Sequence, residues 1–229
     1  MQDSRALRDE IVSVCRRLYE RGLIAGPDGN VSARLDEETI LVTPAGMSKV
    51  DVRPEDLVVV AMDGRRVSGY REPSSEVSLH VRIYSRRTDV GAVVHAHPPA
   101  ATGFAVAGEG FEDNVLPELI VQLGAVPLVP YATPGTESLP DACEPYLGTH
   151  DAFLLANHGA VTTGPTLMVA HQRMESLEHA ARITLVARLL GRVNELTPAQ
   201  VAALLPARSR PVVHGADPES SARESERGE

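Results

Sequence analysis

A single α/β domain is the fold class this sequence predicts, and three observations predict it. Its 229 residues can bury one substantial core, whereas two full domains would strain that length. Short apolar runs closed by Gly, Pro or Asn turns recur along the chain and read as strands. Around them lie segments whose apolar residues fall at helical spacing. A hydrophobic fraction of 43% with 23% charged residues is ordinary for a soluble globular enzyme.

The elements follow in order. Leu7, Ile11, Val14 and Leu18 recur at helical spacing, and Gly22 suits that helix's end. "GPDGNVSARL" is a glycine-rich turn entering a strand. "TILVTP" is a strand that closes in the turn "PAGMS", and "EDLVVVAMDG" is a strand running into a turn. "PSSEVSLHVRIYSRR" opens with a proline and two serines and continues as a helix, with Val77, His80, Val81 and Tyr84 at helical spacing. "DVGAVVHAHPPA" is a short buried strand that turns at its two prolines, and "AVPLVPYATPGT" a short strand bounded by prolines. "DAFLLANHGAVTTG" reads as one buried strand ending in Asn-His-Gly. From Pro165 to about Leu190 runs one long helix, its stripe formed by Leu167, Ala170, Met174, Leu177, Ala181, Leu185 and Leu189. A short helix, "TPAQVAALL", follows. From Pro206 the chain is rich in Pro, Ser, Gly and charge, so a domain is expected over 1–205 and a flexible polar tail over 206–229.

Composition narrows the function. Aromatics make up 3% of the chain and tryptophan is absent, which disfavours stacking surfaces for bases or sugars. The net charge of −9, without a basic block, argues against nucleic acid. Cys15 and Cys143 are too far apart in sequence to form a close-spaced motif and suggest a reducing compartment. The N-terminus lacks an apolar signal core, and no apolar run is long enough to span a bilayer, so a cytoplasmic protein is expected.

Chemistry concentrates in the histidines. On a strand, side chains two apart share a face, so His95 and His97 project together where the apolar run ends. His158 also follows an apolar run and precedes a glycine, and Glu76 stands at a helix start. Taken alone, each reads as a polar residue finishing an element. Together, three imidazoles and a carboxylate suit Zn2+ with a position that can open to substrate, and Mn2+ or Co2+ could use the same ligands. A competing set, His171, Glu175 and His179, shares one helix face but spans about 12 Å. It reads as a solvated or inter-subunit polar stripe. Cys15 and Cys143 read as small core or surface residues.

Three loops suit an anion. Gly29 and Asn30, Thr43 and Gly46, and Ser74 and Ser75 offer backbone N–H groups, an amide and hydroxyls from which a phosphate cradle can be built without net positive charge. Each alone is equally a turn or a cap, but Ser74 and Ser75 directly precede Glu76. Lys49, the only lysine in the sequence, lies in a turn without sign of desolvation, so Schiff-base chemistry is not expected.

The segments "GNVSARL", "TPAGMSK", "PSSEVSLH", "VVHAH" and "LLANHG", followed by a long helix, resemble in order the class II aldolase/adducin superfamily, closest to its L-fuculose-1-phosphate aldolase group. The resemblance covers about residues 5–200. It implies a three-layer α/β/α fold with a mainly antiparallel sheet, and a C4 homotetramer with sites between subunits. It also implies zinc held by His95, His97 and His158, with Glu76 as fourth ligand and, once displaced, catalytic base. Asn30, Gly46, Ser74 and Ser75 match the family's phosphate positions. Ala45 stands where the aldolases commonly have threonine. The family's tyrosine, an acid/base at the C4 oxygen supplied by an adjacent subunit, has no counterpart near Leu116–Glu118. Glu118 is the substitute expected there, and Tyr131, in another segment, the poorer one. The implied reaction is zinc-dependent cleavage of a ketose 1-phosphate, L-fuculose 1-phosphate or a 5-deoxy-pentulose 1-phosphate, to dihydroxyacetone phosphate and an aldehyde through a metal-stabilised enediolate. Alternatives are a methylthioribulose-1-phosphate dehydratase, a decarboxylase, an L-ribulose-5-phosphate 4-epimerase (disfavoured because those carry aspartate at the position of Glu76), or a non-catalytic adducin-like binding module.

Overall fold

The computed structural model describes residues 4–111 and 114–204, so the tail expected over 206–229 lies outside the described residues. Eight strands form one sheet: β1 (Asn30–Arg34), β2 (Thr39–Val42), β3 (Val58–Ala61), β4 (Arg66–Ser68), β5 (Ala92–Ala96), β6 (Leu128–Val129), β7 (Ala152–Leu155) and β8 (Gly159–Gly164). Their order is β4-β3-β2-β1-β5-β8-β7-β6, and only β6 with β7 is parallel. The helices are α1 (Ser4–Glu20), α2 (Val77–Arg86), α3 (Pro99–Ala107), α4 (Pro117–Gln122), α5 (Ser138–Leu147), α6 (Leu167–Leu189) and α7 (Pro198–Leu204). None of these helices is long and apolar enough to cross a membrane.

Strand alternation divides the core into two layers. Val31, Ala33, Leu41, Val94, Ala96, Leu154 and Ala160 pack with α1, α3 and α6. Their neighbours Ile40, Val42, Val93, Phe153, Leu155 and Val161 face the opposite way and pack with α2 and α5. This is the mainly antiparallel α/β/α sandwich expected. His95 shares the parity of Val93, so it faces the layer that contains α2.

Two readings change. "DAFLLANHGAVTTG" forms two antiparallel strands, β7 and β8, with His158 in the turn between them. Asn157 supplies that turn's left-handed residue at φ 57°, a conformation asparagine tolerates better than most side chains. In α6, the stripe from Leu167 to Ala181 is buried, but Leu185 is 44% and Leu189 79% exposed. In the same turns Arg188 pairs with Glu109 and lies 4.8 Å from the Phe104 ring, so it is the apolar side that stays exposed. Cys15 and Cys143 are both buried, and desolvation pushes each thiol up to about 12. Neither is therefore an activated nucleophile.

Candidate functional site

Two sheet strands, one turn and one helix start converge on a single point. His95 lies in β5, and its Nδ1 sits 2.9 Å from the Ala160 carbonyl of β8. That carbonyl needs a donor, so Nδ1 carries the proton and Nε2 presents a lone pair to the site. His97 follows β5, its backbone N–H donating to Leu23 at 3.0 Å, and its Nε2 stands 3.2 Å from Nε2 of His95. Glu76 sits at the N-cap of α2. Its Oε2 is 3.2 Å from His95 Nε2 and its Oε1 3.3 Å from His158 Nε2. One ligand atom from each of His95, His97 and His158 lies within 4.8 Å of the other two. The four predicted ligands are therefore brought together.

This donor set fits a divalent cation. Burial lowers His95 well below its ordinary value, and burial also lowers His158, so both imidazoles are neutral, as metal ligation requires. Glu76 Oε1 is buried and has no hydrogen-bond partner. Three imidazole nitrogens beside a carboxylate oxygen without a hydrogen-bond partner form a donor set that a divalent cation would complete. Asp28, not singled out from sequence, places Oδ2 3.5 Å from His97 Nδ1, where a carboxylate orients a ligating imidazole.

Glycine is required at two points of this geometry. A Cβ on Gly159 would lie 2.6 Å from the Ala96 oxygen and 2.6 Å from Cδ2 of His97. One on Gly29, at φ 71°, would lie 2.7 Å from the His95 carbonyl oxygen. Both glycines let backbone approach the histidines closely.

The three predicted anion loops are adjacent. The Ser74 N–H donates to the Thr43 carbonyl at 3.1 Å, and the Ala45 N–H to the Glu72 carbonyl at 3.0 Å. Ser74 Oγ accepts from the Glu76 N–H at 3.3 Å, while Ser75 and Gly46 are exposed. Thr43 Oγ1 is buried and accepts from Val31 at 3.1 Å. Asn30 donates from Nδ2 to Glu76 Oε2 at 2.8 Å and retains a second amide hydrogen.

Lys49 corrects its sequence reading: it is 2% exposed, and desolvation lowers its ammonium pKa. Its Nζ donates to the carbonyls of Pro27, at 2.7 Å, and Met47, at 2.9 Å, tying the loop of Gly29 to that of Gly46. His171 is a second correction, because it is buried rather than solvated. Its Nε2 lies 3.5 Å from Glu175, which pairs with Arg21 just beyond α1 at 3.1 Å. His179 is exposed. Glu118 is exposed in the first turn of α4, and Tyr131 is 62% exposed.

Beneath Glu76 lies a buried polar chain that the sequence reading missed. His80 Nε2 bonds Asn30 Oδ1, its Nδ1 meets Ser32 Oγ at 2.6 Å, and Ser32 Oγ meets the Tyr84 hydroxyl at 2.8 Å. An asparagine and a serine on one face of the buried strand β1 were the available signal, since buried polar groups must find partners. Burial, and secondarily His95, lowers His80 from 6.5 to about 3, against the opposing charge of Glu76. The unfolded chain takes up a proton at His80 below its ordinary pKa, whereas the native chain refuses it until about 3. Stability from this group is therefore complete above pH ~6.5 and is lost as pH falls through that window. Metal-free protein should lose about 1.4 kcal/mol of unfolding free energy per pH unit from His80 alone. Denaturant titrations of the unmodified chain and of His80→Gln at pH ~7 and ~5 check this, and an equal loss in both would show that burial does not hold His80 neutral.

Comparison with known proteins shows the family. Residues 9–185 match the family model described as the class II aldolase and adducin N-terminal domain. A 3-oxo-tetronate 4-phosphate decarboxylase of Pectobacterium atrosepticum is 36% identical over 183 residues, covering 78% of this chain and 84% of that protein. A 5-deoxy-D-ribulose 1-phosphate aldolase of Bacillus thuringiensis serovar kurstaki is 33% identical over 186 residues, covering 80% of this chain and 86% of that protein. Among solved structures, an L-fuculose 1-phosphate aldolase superposes with a TM-score of 0.81 at 29% identity, over 87% of this chain and 94% of that one.

Proposed function

Because the chain belongs to the class II aldolase and adducin family, we propose that it is a zinc-dependent lyase that cleaves a ketose 1-phosphate to dihydroxyacetone phosphate and an aldehyde. L-fuculose 1-phosphate or a 5-deoxy-pentulose 1-phosphate is the substrate in this reading, and the relative from Bacillus thuringiensis supports the second. The observation that carries it is Glu76, poised between His95 and His158 with one buried oxygen unpartnered.

His95, His97 and His158 would hold the metal, with Glu76 as the exchangeable fourth ligand. When bound, the metal supplies Lewis acidity that stabilises the charge of an enediolate. Glu76 then moves the proton at C3 of dihydroxyacetone phosphate: it removes it in the condensing direction and returns it after cleavage. Asn30 holds Oε2 of Glu76 while Oε1 faces the site. The loops of Gly29, Gly46 and Ser74–Ser75 cradle the phosphate through backbone and hydroxyl groups, with Thr43 joining strand to loop. Glu118 serves as acid/base at the C4 oxygen of a neighbouring subunit's substrate. The uncovered apolar residues Leu185, Val186, Leu189 and Leu190 support a homotetramer, in which such a surface would be buried. The two buried free cysteines support a reducing, cytoplasmic location.

A second reading, decarboxylation of a 3-oxo sugar-acid phosphate, is favoured by the relative from Pectobacterium and by the missing tyrosine. Loss of CO2 from such an acid breaks a carbon–carbon bond without deprotonating any C4 hydroxyl. From 3-oxo-tetronate 4-phosphate it leaves the enediolate of dihydroxyacetone phosphate, so both readings share the Glu76 proton transfer.

Solvent deuterium exchange into C3 of dihydroxyacetone phosphate tests the shared step. Exchange that chelator abolishes and zinc restores is expected, whereas absence of exchange from metal-loaded protein would sink both readings. Condensation with lactaldehyde or acetaldehyde, measured against CO2 release from the 3-oxo acid, then separates them.

A further inference from the structure

We propose that His80 is a positioning residue: through the Asn30 amide it anchors Oε2 of Glu76 and leaves Oε1 as the oxygen that exchanges the proton. The inference rests on Glu76 being the site's base. Its geometry lies in the polar chain that runs from Glu76 into the core.

The direction of every bond in that chain can be worked out. Glu76 Oε2 can only accept, so the Asn30 group 2.8 Å away must be its NH2. That assignment turns Asn30 Oδ1 toward His80 Nε2, and a carbonyl oxygen there requires a proton on Nε2. A neutral imidazole protonated at Nε2 bears a lone pair at Nδ1. Ser32 Oγ, 2.6 Å away, therefore donates to it, and Tyr84, 2.8 Å from Ser32, donates to Ser32. All five residues are buried, so water cannot substitute for any partner cheaply.

The consequence falls on Asn30. An asparagine amide is nearly symmetrical in shape, and without His80 its two orientations would differ only in what they offer Glu76. A flipped amide would set two oxygens against each other at Glu76 and two donors against each other at His80. Glu76 and His80 therefore select the same orientation of the Asn30 amide, and His80 is the donor that locks it from the core side. Oε2 is then held by Asn30, while Oε1 has no hydrogen-bond partner and stands 3.3 Å from His158 Nε2.

The test compares His80→Leu, His80→Gln and the unmodified full-length chain, each zinc-loaded. Glutamine carries an amide donor near the position of Nε2, and leucine offers none. His80→Leu should lower kcat for C3 exchange of dihydroxyacetone phosphate by about 100-fold, the scale of a misplaced catalytic group. Its KM and zinc content should be unchanged, and His80→Gln should recover most of the loss. Retained kcat in His80→Leu, or no advantage of glutamine over leucine, overturns the proposal. If the leucine variant does not fold, nitrogen-15 histidine spectra of the unmodified chain decide the point. One histidine should show a protonated Nε2 and a bare Nδ1, unchanged between pH ~5 and ~8, and a bare Nε2 overturns the proposal. The spectra do not depend on substrate, so absence of exchange in the unmodified chain would discard the reaction while the spectra still judge the anchoring chain.

Discussion

Replacing His97 with alanine is expected to strip the protein of metal while leaving its fold intact. His97 contributes its Nε2 at 3.2 Å from that of His95 and stands on the loop directly after β5. Its side chain is 26% exposed, so truncation leaves no large cavity and should cost no more than about 1 kcal/mol in metal-free protein. With metal the difference grows. Zinc at about 100 times its dissociation constant should stabilise the unmodified protein by about 2.7 kcal/mol, a gain the variant forfeits. Loss of an outer-sphere partner commonly costs 10–100-fold in affinity, and loss of a ligand itself should exceed about 100-fold. Dialysis of both proteins against one graded chelator series, followed by metal analysis and thermal melts, reads each quantity. Full occupancy of the variant where the unmodified protein is full would remove His97 from the ligand set.

Much of this site was legible because its logic is local. His95 and His97 share a face through strand alternation alone, and Glu76 could be placed at a helix start from the serines before it. What escaped was set by distant partners. The first two free N–H groups of α3, at Ala100 and Ala101, are accepted by the buried carboxylate of Glu178, far along on α6. No residue near Pro99 announces that cap, and a run opening with two prolines and lacking charge reads as turn. Helix α5 contains Pro145 in its interior, which argues against helix locally, yet it buries Leu139, Cys143 and Leu147 against the sheet. Tertiary burial outweighs propensity there. Lys49 was misread for the same reason. Its burial comes from two loops closing over it, and its partners are carbonyls of Pro27 and Met47, which no side-chain pattern reveals. His158 was placed at a strand's end, but the second strand of its hairpin was signalled only by the left-handed asparagine before it.

Glu76→Gln is the substitution that separates binding from chemistry. The amide is nearly the size of the carboxylate, and its carbonyl oxygen can still accept the Asn30 hydrogen bond that now holds Oε2. The amide nitrogen then takes the place of Oε1, beside His158 Nε2, where it can donate a hydrogen bond but cannot accept a proton at neutral pH. Three imidazoles remain, so zinc should stay bound near one ion per chain, with affinity lowered only by the loss of an exchangeable ligand. The loops of Thr43 and Ser74 do not depend on the Glu76 side chain, because Ser74 bonds Thr43 and the Glu76 N–H through backbone and hydroxyl groups, and Asn30 keeps an acceptor in the glutamine carbonyl. Dihydroxyacetone phosphate should therefore still bind. Its C3 exchange should fall by about 10²–10⁴-fold, the usual contribution of a positioned general base, at every pH tested and without recovery in excess zinc. That pattern differs from His97→Ala, whose residual activity should rise with added metal. Exchange undiminished in a zinc-replete Gln variant would take the proton transfer away from Glu76. The carboxylate would then remain only a ligand, and Asp28, 3.5 Å from His97, would become the nearest remaining carboxylate to examine.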